Sequence, residues 1–485
     1  MGIVVTQSIK NTIITYIGFG IGAINVLFLY TKFLSDTYFG LITFILSTAN
    51  IMMPLMAFGV HNAIIKFYSS FKTKHSQNSF LTLMLFLPLV IIIPFWFIGS
   101  FSFELISTWL SKENSIIKEY TWLIFISAIA FAYFEVFYSW AKVQMHTVFG
   151  NFMKEVFHRI GITILLICLY YNYISAEQLI YAIVGIYIVR MLIMKLYAFA
   201  IRRPTLRFKK IANISEILKY AALIIIAGSV ANIILEIDKF MIGQYIEIEN
   251  VAYYGVAIYI ATVIGVPARS MHQITHPLTA KLLNENNKVE LKSLYKKSSL
   301  TLFIISGLIL VLILVNLNEL YKLIPVEYSG GLLIVVIIGF VKLFDNLLGN
   351  NNAILFNSDY YRVVLVLGVV LAILTVVLNI LLIPDYGING AALATFISIF
   401  IYNSAKLIFV YYKFKMLPFS TNTLKTFILI VISIAVFYFW EFSFHPIINI
   451  ILKSVLIGMS YVFVVYRFNL SEDIKAILKK FISKK

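Results

Sequence analysis

Ile201–Lys219 reads IRRPTLRFKKIANISEILK, the one basic, proline-interrupted segment near the middle of an otherwise almost continuously apolar chain. Six apolar runs precede it and eight follow. The first six of those eight repeat the plan of the N-terminal half. The segment therefore reads as a linker joining two similar helix bundles, on the face of a membrane where basic residues collect.

The composition supports a membrane setting. Hydrophobic residues make up 61% of the 485 residues and charged residues 13%, against about 25% charged in soluble domains. Runs of roughly 20 apolar residues recur along the chain, the length a helix needs to cross about 30 Å of hydrocarbon. The expected fold is an all-α polytopic membrane protein with about 14 transmembrane helices. The net charge of +17 is explained by topology rather than nucleic acid, because lysine and arginine gather in alternate loops. Cys168 is the single cysteine and lies within an apolar run, which excludes a disulfide framework and a thiolate metal site. Lys10 is followed by about 20 apolar residues, too long for the core of a cleavable signal.

The runs fall near 11–34, 39–65, 79–99, 120–143, 152–171 and 177–200, then 215–236, 251–273, 298–317, 328–349, 361–383 and 388–412, with a final pair near 424–440 and 447–467. An even total puts both termini on one side. Loops on that side carry most of the cations, including Lys66, Lys72, Lys74, Arg202, Arg203, Arg207, Lys209 and Lys210. The opposite loops are acidic on balance, with Glu104, Glu113, Glu247, Glu249 and Glu327. Both termini are thus expected to be cytoplasmic. The domain plan is a six-helix lobe over 1–200, the linker 201–219, a second six-helix lobe over 220–415, and two extra helices with a basic tail over 416–485. Six spans per half allows parallel pseudo-repeats about an axis along the membrane normal.

Four stretches carry a resemblance: Leu34-Ser35-Asp36-Thr37-Tyr38-Phe39-Gly40-Leu41, Phe58-Gly59-Val60-His61-Asn62-Ala63-Ile64-Ile65-Lys66-Phe67, Leu235-Glu236-Ile237-Asp238-Lys239-Phe240-Met241-Ile242-Gly243, and Pro384-Asp385-Tyr386-Gly387-Ile388-Asn389-Gly390-Ala391-Ala392-Leu393-Ala394-Thr395. In order and spacing the chain resembles the polysaccharide repeat-unit flippases of the multidrug/oligosaccharidyl-lipid/polysaccharide exporter superfamily. The resemblance implies a non-enzymatic transporter in a bacterial cytoplasmic (inner) membrane. Its cargo would be an undecaprenyl-diphosphate-linked oligosaccharide, flipped from the inner to the outer leaflet by alternating access for O-antigen, capsule or exopolysaccharide assembly. It also implies membrane lipids, a polysaccharide polymerase and chain-length machinery as partners, with no nucleic acid. The alternative within the superfamily is a cation-coupled multidrug antiporter.

Ionisable side chains deep in a span are costly and face a cavity or a partner. The candidates for substrate binding are Arg159, Arg190, Lys195, Arg269 and Lys342, and those for coupling are Glu135 and Asp345. Glu135 and Arg159 flank the turn between spans four and five almost symmetrically, so a hairpin would pair them. Lys342 and Asp345, three residues apart, would share a helix face and shield each other, and Asn350, Asn351 and Asn352 would continue it. Asn25, Asn50 and Asn232 are expected to form interhelical hydrogen bonds, and Asp238 to meet headgroups or cap a turn. Cations outnumber acids among the deep residues, which suits a diphosphate because guanidinium binds phosphate bidentately. No cofactor or metal is expected. The driving force is read as a proton or sodium gradient. No P-loop, dinucleotide fingerprint or metal-ligand spacing occurs in the sequence.

Overall fold

The structure, a computed structural model, describes residues 3–205 and 213–482. Arg207, Lys209 and Lys210 of the linker, and the Asn232 side chain, lie outside what it describes. The described chain is helical, without strands, and every expected apolar run falls on a helix. Among the described residues, eleven helices are long and apolar enough to cross a membrane. One of them, Tyr361–Phe414, counts 54 residues; at 1.5 Å per residue it would run about 80 Å, far beyond a bilayer. It is broken at Gly387, whose φ of +55° and ψ of −136° are not helical, so the run forms two spans. Only glycine reaches this backbone conformation without strain. The stretches 148–170 and Ile214–Tyr245 fill the positions expected for spans five and seven.

Local sequence explains the breaks. Pro54 removes one backbone donor in the last turn of helix Asp36–Met56 and clashes with the preceding carbonyl. The chain then turns through Phe58 and Gly59, both at positive φ, before helix Val60–Phe67 resumes. In the corresponding span of the second half, a 3₁₀ turn over Val263–Gly265 directly precedes helix Val266–Asn284 with its Pro267. The freed carbonyl of Ile264 is met by the Asn346 amide at 2.8 Å. Ser175 and Gln178 form a reciprocal capping box that starts helix Ala176–Ile201, satisfying donors the first turn would otherwise leave open.

Packing divides the chain into two compact units, one of residues 1–252 with 379–387, the other of 253–378 with 388–485. The division falls one helix beyond the linker, because helix Ile214–Tyr245 packs on the first unit. Gly40 admits the loop that follows this helix, since a Cβ there would overlap the Ile248 carbonyl oxygen. Asn114 then binds the following loop, donating to the carbonyls of Gly243 (2.8 Å) and Ile246 (2.9 Å) and accepting from the Ile248 amide (2.9 Å). Ser47 donates to Glu236 at 2.9 Å and Thr37 to Glu249 at 2.5 Å. Asp238 differs from expectation. It is buried and accepts a hydrogen bond from Asn379 at 2.8 Å rather than facing headgroups. Asn114→Ala is expected to cost about 2–3 kcal/mol, roughly 1 kcal/mol per hydrogen bond lost. The measurement is the unfolding midpoint of the purified protein in detergent, and an unchanged midpoint would remove Asn114 as a fastener.

In the second unit, helix Lys288–Tyr321 is the central element, with Leu302, Phe303, Leu310 and Val311 fully covered. The last two membrane helices, Thr421–Tyr438 and Pro446–Arg467, press Ile430, Ile457, Tyr461 and Val465 against it. Gly307 leaves the space Ile430 occupies, since a Cβ there would meet the Ile430 Cδ1 at 2.3 Å. The Tyr461 hydroxyl donates to the Ile304 carbonyl at 3.1 Å.

Candidate functional site

Each unit contains its own cluster of ionisable side chains at membrane depth. In the first unit, Arg190 projects from helix Ala176–Ile201 into an aromatic box. Its guanidinium carbon lies 4.3 Å from the Phe134 ring centre, 4.7 Å from Tyr187 and 5.6 Å from Phe131. The residue is 8% exposed and its Nε has no hydrogen-bond partner. The rings favour a cation electrostatically but accept none of its strong hydrogen bonds, leaving donor capacity for an acceptor from outside the protein. The His158 ring stacks on Tyr187 with centres 5.4 Å apart, extending the box toward the helix that carries Arg159.

Arg159 turns back along its own helix, donating from Nη1 to the Glu155 carbonyl at 2.9 Å and pairing with the Glu155 carboxylate at 3.5 Å. Gly18 makes room for it, since a Cβ there would lie 2.8 Å from that nitrogen. The Arg159 carbonyl accepts from Asn25 at 2.8 Å and Thr163 donates to the Asn25 side chain at 2.7 Å, the interhelical bonding expected of Asn25. The expected Glu135–Arg159 pair does not form. Glu135 binds Lys154 at 2.6 Å. The turn is shorter than the sequence indicated: helix Ile117–Lys142 is followed by Val148–Phe152, so the hairpin centres on Met145, which has positive φ. Counted from there, Glu135 mirrors position 155, and Arg159 lies about a turn too deep. Lys154 has a half-exposed side chain, so the pair contributes only about 1 kcal/mol. A double-mutant cycle on stability should return that coupling for Glu135 with Lys154 and none for Glu135 with Arg159.

Lys195 is not brought into this cluster. Its side chain is exposed, with Nζ 5.9 Å from the Phe199 ring centre, because five residues along a helix turn it well away from Arg190.

The second unit gathers Arg269, Lys342 and Asp345, and adds Lys406. Lys342 lies with its stem over Gly265 in the 3₁₀ break, within electrostatic reach of both Asp345 and Arg269. No Lys342–Asp345 ion pair forms among the described residues; the Asp345 carboxylate accepts from Asn403 at 3.4 Å and is within electrostatic reach of Lys406. Lys406 is 1% exposed, donates to Asn352 at 2.9 Å and sits 4.2 Å from the Tyr402 ring centre. The asparagine run does not continue one face. Helix Leu332–Leu347 ends at a turn with Gly349 at φ +52°, after which Asn350 bonds Thr279, Asn351 bonds Tyr295 and Asn352 receives Lys406.

Lys406 escaped the sequence reading, although a lysine flanked by Tyr402 and Asn403 deep in an apolar run was a signal of the same kind as Arg190. His272 and His276 were also missed; they face each other at 5.2 Å between ring centres, with one nitrogen of each buried and unbonded. In both clusters cations outnumber carboxylates: Lys154, Arg159 and Arg190 against Glu135 and Glu155 in the first, Arg269, Lys342 and Lys406 against Asp345 in the second. A donor set of this kind can hold an oxyanion through charge-assisted hydrogen bonds, and it lacks the carboxylate excess a metal ion or organic cation needs. Among the described residues no group of histidine, cysteine and carboxylate side chains is arranged to hold a metal.

Comparison with known proteins places the chain. The sequence model of the family described as polysaccharide biosynthesis protein matches residues 4–282. No curated protein matches by sequence. Among solved structures, the fold is similar to that of the lipid II flippase MurJ in an inward closed conformation, with a TM-score of 0.75 at 16% identity, covering 96% of this chain and 100% of that one. It is also similar to a multidrug resistance transporter of the MATE family, in the MOP superfamily. The inward-facing conformation gives a TM-score of 0.59 at 14% identity over 86% of this chain and 95% of that one. The outward-facing conformation gives 0.52 at 16% identity over 85% and 95%.

Proposed function

Because the chain belongs to the polysaccharide biosynthesis protein family, we propose that it is a transporter, not an enzyme, and that it flips a lipid-linked oligosaccharide across a bacterial cytoplasmic membrane. The cargo in this reading is an undecaprenyl-diphosphate-linked repeat unit for O-antigen, capsule or exopolysaccharide, moved from the inner to the outer leaflet by alternating access. The observation that carries the reading is the surplus of cations over carboxylates in each of the two clusters. Arg190 and Arg159 with the His158 box, and Arg269, Lys342 and Lys406, supply donors for a diphosphate. The fold likeness to a lipid II flippase supports a cargo built on a lipid carrier.

Glu135 and Asp345 are the groups proposed to couple transport to a proton or sodium gradient. Both termini are assigned to the cytoplasm by the positive-inside distribution, and a polymerase with its chain-length machinery would consume the flipped unit. Deletion of the chain followed by analysis of lipid-linked glycans tests the proposal. Full-length repeat units should accumulate on the inner leaflet. Unaltered glycans with new sensitivity to cationic drugs would favour a multidrug antiporter instead.

A further inference from the structure

The first unit contains a second cationic site, remote from the membrane-depth cluster, where helices Lys74–Phe86 and Ala176–Ile201 meet at the entrance to the linker. A cavity of about 660 Å³ opens there, lined by Lys74, His75, Asn78, Gln144, Arg202 and Arg203 among others. Among the described residues, no carboxylate lines it. Loops rich in lysine and arginine are ordinary on a cytoplasmic face, and most such side chains point into water. Here one of them is built into the wall.

Arg202 is half-buried and held flat by neutral partners only. Its Nη1 donates to the Tyr68 hydroxyl and to Gln77 Oε1 at 3.0 Å, and its Nη2 donates to Asn78 Oδ1 at 2.8 Å. The partners are themselves tied: Gln144 donates to the Tyr68 hydroxyl at 2.8 Å, and Asn78 to the Thr205 hydroxyl at 2.7 Å. This network fixes the guanidinium without neutralising it. Lys74 and Arg203, on the same cavity, form no ion pair or hydrogen bond through their side chains among the described residues. Like charges held together on one concave wall repel each other, and an anion between them relieves that repulsion. The turn that supplies Gln144 is itself held by Gln7, which donates to the Met145 carbonyl at 2.7 Å.

We propose that this cavity binds a phosphate group, with Arg202 as the fixed donor and Lys74 and Arg203 closing on the remaining oxygens. A guanidinium and an ammonium together match a phosphate monoester or diester in charge and donor geometry. The same chemistry is offered by the headgroup of an anionic lipid, at the depth where basic pockets between helices take them, and by a soluble phosphate ester. The site is independent of the cargo assigned above.

The test uses the full-length purified protein and a Lys74→Ala/Arg203→Ala variant, whose altered side chains make no hydrogen bonds and so leave the Arg202 network intact. Arg203→Ala alone serves as a second variant, and unfolding midpoints verify the fold. One arm counts phosphatidylglycerol retained by native mass spectrometry, with zwitterionic phosphatidylcholine as control. The other titrates glycerol phosphate calorimetrically. Binding by the unaltered protein in either arm, weakened at least ~10-fold in the double variant, supports the site, and the arm in which it occurs identifies the source. Equal binding by unaltered and variant protein, or no binding in either arm, overturns it.

Discussion

Arg190→Ala should abolish export while leaving the amount of protein in the membrane unchanged. The residue sits in a box of Phe131, Phe134 and Tyr187 that supplies no carboxylate, and its Nε is unbonded. A forked guanidinium–phosphate contact is worth about 1.5–3 kcal/mol per charged hydrogen bond, so losing two corresponds to roughly a 100-fold drop or more. Arg190→Lys keeps the charge but not the fork, and should restore export only in part. Lipid-linked glycans accumulating on the inner leaflet report export, and immunoblotting reports protein level. Full export by the alanine variant would remove Arg190 from the proposed site.

Lys406→Met separates function from stability in the other unit. An ammonium that is 1% exposed and bound to a neutral amide is costly to desolvate, and that cost, absent for an apolar side chain of similar shape, offsets the loss of its hydrogen bond. The variant should therefore melt at the same or a higher temperature in detergent. Export should nevertheless fall at least ~10-fold, the loss of one charge-assisted contact. A purely structural lysine would give the opposite pattern, with export retained.

The two apolar pockets between helices Asp36–Met56, Leu89–Phe101 and Ile117–Lys142 are lined by Trp96, Phe95, Trp122 and Phe125. They bear on neither variant, because their walls offer almost nothing polar to a diphosphate.

Helix identity and much of the local geometry were legible in the chain itself. Apolar runs separated by charged loops dictate spans, because unpaired backbone in hydrocarbon is prohibitive and a helix satisfies every group internally. Gly40, Pro54, Pro267 and Gly387 stand at the close approach, the two broken helices and the break in the 54-residue run. Arg190 was legible because a cation deep in a span needs a reason to be there.

Partners were not legible, since they depend on where a turn closes and which helix packs beside which. Glu135 meets Lys154 because the hairpin turns at Met145. Asp238 meets Asn379, 141 residues away, and Lys406 meets Asn352, 54 away. Helix Ile214–Tyr245 joined the first unit through Ser47 and Asn114 although the linker precedes it. Hydropathy and backbone conformation are properties of a few consecutive residues, so the sequence determined the helices and their breaks. Hydrogen bonds and ion pairs form across distances that only the folded chain sets to within an ångström, so the tertiary structure alone decided which charges are held together.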